Sequence, residues 1–178
     1  MDFKKSKTYA NLLEAFAGES MARNKYSFYS SVARKAGYHQ IAGIFEETAD
    51  NEKEHAKRIA KLLGDIIGNT AENLDAARGG EHHEWTSMYP EFEQVALAEG
   101  YEEIAEFFHE VAEVEEEHDR RYTALLERFN AGTTFSRPET TRWKCRNCGY
   151  VHAGAEAPEL CPACLHAQGY FEALCENY

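Results

Sequence analysis

Glu52-Lys53-Glu54-His55 and Glu115-Glu116-Glu117-His118 each place a carboxylate and an imidazole three residues apart. On a helix, positions i and i+3 share a face about one turn apart, so each Glu-x-x-His offers two metal-binding groups to one point. Two such offers suggest two metals. Each half of the chain also holds an earlier carboxylate, Glu19 or Glu81, and Glu84 follows Glu81 by one helical turn. Hard carboxylate oxygens with few imidazoles suit iron or manganese, which change oxidation state among oxygen ligands. A single Glu-x-x-His on an acidic helix is ordinarily a solvated surface pair. Six donors recurring at matched positions are a different case, because burying them without cations would cost many kcal/mol.

A second donor set lies near the C-terminus. Cys145-Arg146-Asn147-Cys148 and Cys161-Pro162-Ala163-Cys164 supply four thiolates on two knuckles, the ligand set of a tetrahedral zinc or iron site. Cys175 follows neither spacing and is expected as a small, partly buried apolar residue. Tyr26 and Tyr89 stand at matched positions two turns beyond Glu19 and Glu81. They are placed either to reach the metal site as hydroxyl donors or to pack in the core with the hydroxyl satisfied. His82, His83 and His109 are expected at the surface, with no role.

The elements that must position these groups read as helices. From Thr8 to Ala36 the chain has helix formers, no proline, and apolar residues at Leu12, Leu13, Phe16, Tyr26, Tyr29 and Val32 near 3.6-residue spacing, and Gly37 stops it. A second helix is expected over about 38–63, with Ile41, Phe45, Ala49, Ile59 and Leu62 on its apolar side and Gly64 at its end. A third starts near Thr70, and within it Gly79-Gly80 and Pro90 are weak points by propensity alone.

An internal repeat overrules those breaks. Thr8, Asn11, Leu12, Ala15, Gly18 and Glu19 match Thr70, Asn73, Leu74, Ala77, Gly80 and Glu81 at one offset. From Tyr26/Tyr89 onward, through Gly37/Gly100, Ile41/Ile104, Phe45/Phe108, Ala49/Ala112, Glu52/Glu115 and His55/His118, the offset is one residue longer. The chain is thus a duplicated helical hairpin whose second copy carries one extra residue between Glu81 and Tyr89. One residue inserted in a helix is commonly absorbed as a π-bulge, so a bulge is expected there.

After Phe129 the composition turns to Gly, Pro, Ser and Thr. The expected organisation is a helical bundle over 1–132, a linker over 133–141 and a small domain over 142–178. That last segment is too short to bury a core of its own and needs a metal to hold it.

The whole chain bounds the possibilities. Its 178 residues, 43% hydrophobic, suffice for one domain with a small appendage. The formal charge of −12, from 31 acidic against 19 basic residues, argues against nucleic acid or an anionic membrane as a partner. The first residues lack an apolar run after their lysines, and nowhere do about eighteen apolar residues occur together. The expected location is cytoplasmic, where Cys-x-x-Cys pairs read as metal ligands before disulfides.

A glutamate from each of two helices and a Glu-x-x-His from each of the other two is the arrangement of ferritin-like di-iron and di-manganese bundles. Over essentially its whole length the sequence resembles the rubrerythrins, through these ligands, Trp85-Thr86-Ser87-Met88-Tyr89-Pro90 and the C-terminal rubredoxin-like cysteine knuckles. The spacing of twelve residues between Cys148 and Cys161 is shorter than in free-standing rubredoxin and agrees with rubrerythrin tails.

The resemblance implies two irons in the bundle and one Fe bound by Cys145, Cys148, Cys161 and Cys164. It further implies that Glu52 and Glu115 bridge the irons, that Glu19 and Glu84 serve one and Glu81 and His118 the other, and that His55 replaces Glu84 on reduction. The implied activity is reduction of hydrogen peroxide to water, with electrons passed through the FeS4 site. They come from a rubredoxin or an NAD(P)H:rubredoxin reductase, since the chain has no GxGxxG segment of its own. Iron oxidation or storage would share the bundle but leave the thiolate site unexplained. A zinc-ribbon interaction module is the non-enzymatic reading of the tail.

The repeat also bears on assembly. If the second and third helices run parallel, as in ferritin-like bundles, the chain must travel from about 12 Å past the site at Leu63 to about 16 Å past its other side at Thr70. Seven steps of about 3.5 Å reach only roughly 24 Å. Either the bundle is antiparallel throughout, or helices one and two of one chain pack on three and four of a partner. The family's topology favours the domain-swapped homodimer.

Overall fold

The computed structural model describes residues 2–177, and the chain divides between Asn69 and Thr70 into two units. In the first, α1 (Lys7–Lys35) and α2 (His39–Leu63) form a hairpin. Ser6 Oγ accepts the Tyr9 N–H at 3.1 Å and so caps the start of α1. Gly37, at φ +84°, turns the chain out of the helix, and Tyr38 N–H donates back to Ala33 C=O at 2.9 Å, satisfying carbonyls that the helix end would orphan.

Small residues form the seam of this hairpin. Ala33, Ala42, Ala49, Ala56, Ala60 and Leu63 are buried, and the buried Ser30 hydroxyl donates to Ala42 C=O at 2.9 Å. Leu13, Tyr29, Val32, Ile41 and Leu62, which periodicity places in the core, are exposed instead. The reason is geometric: two helices bury only the strip along which they touch, and alanines there bring the backbones close while the larger side chains fan outward.

The second unit repeats the plan. Its helices are α3 (Thr70–His83), α4 (Tyr89–Glu99) and α5 (Glu102–Asn130), with a π-helical turn over Glu84–Met88 joining α3 to α4. The bulge therefore lies where the change of repeat offset puts it, and α3–π–α4 is the counterpart of α1. Gly79-Gly80 does not break α3, and Pro90 sits in the first turn of α4. Gly100 and Tyr101 reproduce the turn at Gly37, with Tyr101 N–H donating to Ala96 C=O at 2.8 Å. Phe92, Val95, Ala96, Tyr101, Ile104 and Phe108 line an open apolar groove of about 540 Å³. The expected four helices and small C-terminal sheet are thus present.

A π-bulge absorbs its extra residue locally, so the register of the helix on either side is kept. Deleting Ser87 is expected to leave a folded protein with unchanged helix content by far-ultraviolet circular dichroism. Deleting Ala77 from the regular part of α3 rotates everything before it by about 100° and is expected to unfold the unit.

The tail forms an antiparallel sheet of order β2-β1-β3, from β1 (Ser136–Cys145), β2 (Val151–Glu156) and β3 (Phe171–Ala173). β1 starts inside the stretch expected as linker. Ser136 pairs with Glu156 and Thr141 with Gly154, the register slipping between them around Pro138, which has no N–H to give the ladder. Turn-type composition there marks an irregular strand. The core beneath is small: Trp143, Cys145, Ala157, Cys161 and Phe171, with the Trp143 indole N–H donating to Gly154 C=O at 3.0 Å. Among the described residues no helix is long and apolar enough to cross a membrane.

Candidate metal centres

Each helical unit gathers one carboxylate from its first helix and a carboxylate and imidazole from its second. In the first unit α1 supplies Glu19 and α2 supplies Glu52 and His55. In the second, α3 supplies Glu81 and α5 supplies Glu115 and His118. In each group one donor atom from every residue lies within 4.8 Å of the others. His55 Nδ1 is 2.8 Å from Glu52 and 3.7 Å from Glu19, and His118 Nδ1 is 2.6 Å from Glu115 and 3.6 Å from Glu81. The duplication therefore preserves side-chain geometry as well as sequence.

The carboxylates crowd one another. Hydrogen bonding to Glu52 and burial push the Glu19 carboxyl up from its ordinary value. For Glu81 burial leads, with Glu115 and the charge of Glu84 adding to it, against the opposing pull of His118. Acids that raise each other's proton affinity in a pocket with an imidazole are poised to exchange those protons for a cation. Together the donor sets suit two iron ions.

The halves are not identical. His55 is 60% exposed and His118 only 35%. Glu84 begins the π turn and stands outside the three-donor group, yet its charge, after burial, helps raise the Tyr89 phenol. Tyr89 lies against Phe92 and Phe108 as Tyr26 lies against Tyr29 and Phe45, so both tyrosine rings are packed in aromatic clusters.

His82, expected at the surface with no role, and Trp85, part of the motif that carries the family resemblance, meet at Asp119, a residue that no spacing marks. Asp119 accepts hydrogen bonds from the Trp85 indole at 2.9 Å, from His82 Nδ1 at 2.9 Å and from the Thr123 hydroxyl at 3.2 Å. Burial pushes its carboxyl up, but those bonds outweigh it and hold the group below the usual carboxylate range. One signal was available: at the repeat offset Asp119 replaces Ala56, an acid where the first copy buries a methyl.

The four cysteine sulfurs also lie within 4.8 Å of one another, with Cys145–Cys164 at 3.8 Å and Cys148–Cys161 at 3.6 Å. Thiolates about 2.3 Å from a central ion in a tetrahedron stand about 3.8 Å apart, so the cage is set for one iron. The two knuckles match: Gly149 N–H donates to Cys145 C=O at 2.9 Å, and Leu165 N–H to Cys161 C=O at 2.8 Å. The backbone amide of His166 lowers the Cys164 thiol to about 6. At Cys148 the amide of Tyr150 pulls the other way, but Cys164, burial, Cys161 and Cys145 raise the thiol to about 12. Cys175 is exposed rather than partly buried and lies outside the cage, because the last ladder bond, Leu174 N–H to Arg142 C=O at 2.7 Å, precedes it.

Knuckle geometry requires a left-handed residue after each second cysteine. Gly149 takes it at φ +81° without strain, whereas Leu165 takes it at φ +60° while exposed. Relieving a Cβ clash of about 1 kcal/mol, Leu165→Gly is expected to stabilise the metal-loaded tail by somewhat less than that, because glycine adds backbone entropy to the unfolded chain. Slower metal loss to a chelator would register the gain.

Residues 10–126 match the family described as Rubrerythrin, and residues 143–172 that described as Rubrerythrin, rubredoxin-like domain. The chain is 54% identical to a rubrerythrin of Porphyromonas gingivalis, over 98% of this chain and 94% of that protein. It is 50% identical to one of Nitratidesulfovibrio vulgaris, over 98% of both. Rubrerythrin-1 of Clostridium acetobutylicum is 48% identical, again over 98% of both.

Proposed function

Because the chain belongs to the rubrerythrin family, we propose that it is a peroxide reductase, drawing electrons from a separate NAD(P)H-linked donor. The observation that carries the reading is the coexistence, in one chain, of two Glu, Glu, His half-sites and a four-cysteine cage. Two irons held by the carboxylate groups would supply the two electrons that, with two protons, reduce hydrogen peroxide to two waters, and an iron held by the four cysteines would return those electrons one at a time.

The chain's own residues set the conditions. Glu52 and Glu115, each with an imidazole beside it, would serve both ions; Glu19 with Glu84 would hold one, the exposed His55 replacing Glu84 on reduction, and Glu81 with His118 would hold the other. Tyr89 keeps its phenolic proton because burial and the charges of Glu84, Glu115 and Glu81 all disfavour the phenolate. The neutral phenol is therefore a hydrogen-bond donor near these carboxylates, not a ready source of protons.

We assign the functional unit to a domain-swapped homodimer. Each three-donor group comes from a single hairpin, each hairpin leaves large apolar side chains exposed, and 64–69 is a short link between them. Large apolar side chains left exposed in such number are what a second copy of the chain would cover.

Metal analysis joined to NADH-coupled peroxide consumption, with a rubredoxin reductase added, tests the activity. The expected result is three irons per chain and NADH oxidation that depends on peroxide. Iron uptake with oxidation by dioxygen but no peroxide-dependent turnover would instead identify an iron-oxidising protein.

A further inference from the structure

The π turn that carries Glu84 has no counterpart in the first hairpin, and neither does the group that holds it. Trp85, the second residue of the turn, donates its indole N–H to Asp119 on α5, directly after His118. The His82 ring stands edge-on to Trp85, 5.5 Å between centroids, and bonds the same carboxylate from the last turn of α3. Thr123, one turn along α5, steadies the other oxygen. In the first copy the matching positions are Ala56 for Asp119, Ala60 for Thr123 and Ser20 for His82, and the Ser20 hydroxyl turns back to Phe16 C=O at 2.7 Å on its own helix. There α1 runs unbroken through 29 residues.

A π turn is a strained way to accommodate one residue, and it persists where surrounding contacts hold it. The Asp119 side chain is only 13% exposed, so its bonds to Trp85 and His82 compete little with water. Three donors on one carboxylate, two of them from α3 and the π turn, fix those segments against the helix that supplies Glu115 and His118.

We propose that Asp119 is a positioning residue: by anchoring Trp85 it holds the π turn open and sets where Glu84 stands relative to Glu81, Glu115 and His118. The inference deepens the dimetal reading and rests on it for the metal that Glu84 serves. The anchoring itself belongs to the polypeptide and is present without metal. Groups that orient ligands in this way commonly control metal affinity about 10–100-fold.

The test uses the full-length chain with Asp119→Ala, Asp119→Asn and Trp85→Phe. It reads amide hydrogen exchange over 84–89 in metal-free protein and Co(II) binding at the carboxylate groups, whose weak visible bands are distinct from those of the thiolate cage. Asp119→Ala and Trp85→Phe are expected to speed exchange over 84–89 about tenfold or more, with α2 amides unchanged, and to weaken Co(II) about tenfold. Asp119→Asn keeps a carbonyl acceptor for the indole and is expected to stay within about threefold of the parent on both.

Wild-type behaviour of Asp119→Ala would overturn the proposal. So would an Asp119→Asn as impaired as Asp119→Ala, which would assign the effect to charge, and so would faster exchange with unchanged Co(II) affinity. Absence of Co(II) binding at the carboxylates of the parent protein would instead sink the dimetal reading, with the exchange data still deciding the anchor.

Discussion

Glu52→Ala and Glu115→Ala chains are each expected to lose peroxide reduction at least about 100-fold, and a re-associated equal mixture of the two to recover about a quarter of the parent activity. The single losses follow from geometry. Glu52 and Glu115 are the most enclosed carboxylates of their groups, 17% and 13% exposed, and each is the nearest partner of its imidazole. Removing either leaves a half-site with one carboxylate and a histidine, too few donors to hold a hard cation tightly. The recovery follows from swapping. When the first hairpin of one chain completes the second hairpin of its partner, a mixed dimer concentrates both lesions in one site and leaves the other intact. Half the dimers are mixed and half their sites work. In an unswapped arrangement every site carries one lesion and the mixture stays inactive, so steady-state peroxide consumption before and after re-association decides the matter.

The second large effect concerns the tail. Stripping the metal with a chelator under reducing conditions is expected to unfold residues 142–173 while the helices remain. Five buried residues, two of them the ligands Cys145 and Cys161, make up that core, and burial on this scale does not offset the ordering of some thirty residues. Structural metal in comparable small domains contributes on the order of 10–16 kcal/mol, as much as the whole stability of an ordinary domain. Trypsin sensitivity at Lys144 and Arg146 should appear with metal removal and vanish when ferrous iron is restored, the far-ultraviolet dichroism of the helices changing little throughout. A tail that resists trypsin without metal would show that its strands stand alone. Cys161→Ser should mimic removal, because the hydroxyl cannot replace a buried thiolate ligand.

The two effects differ in kind. The helical half-sites are expected to keep their helices without a cation, since the glycine turns and, in the first hairpin, an alanine seam belong to the polypeptide alone; there metal brings chemistry. In the tail the metal brings the fold.

The donors themselves were legible in the sequence because helical spacing is a local rule: Glu-x-x-His must present both groups on one face wherever the helix goes. The duplication was legible too, and the single-residue change in offset placed a bulge between Glu81 and Tyr89, the interval in which the π turn Glu84–Met88 lies, since an insertion kept within a regular helix has few ways to be absorbed. The knuckles followed from cysteine spacing alone. What tertiary structure decided were contacts between residues far apart in the chain. Asp119 meets Trp85 across 34 residues and His82 across 37, and no local pattern distinguishes that carboxylate from its many acidic neighbours. Periodicity marked Ile41, Val32 and Leu62 as apolar-face residues but could not say that a lone hairpin buries its alanines instead. Turn-type composition concealed the start of β1, because a strand with Pro138 at a slipped register looks like a linker until its partner, β2, is in place. Sequence fixed which atoms can bind metal; packing fixed which of them are held still, and by what.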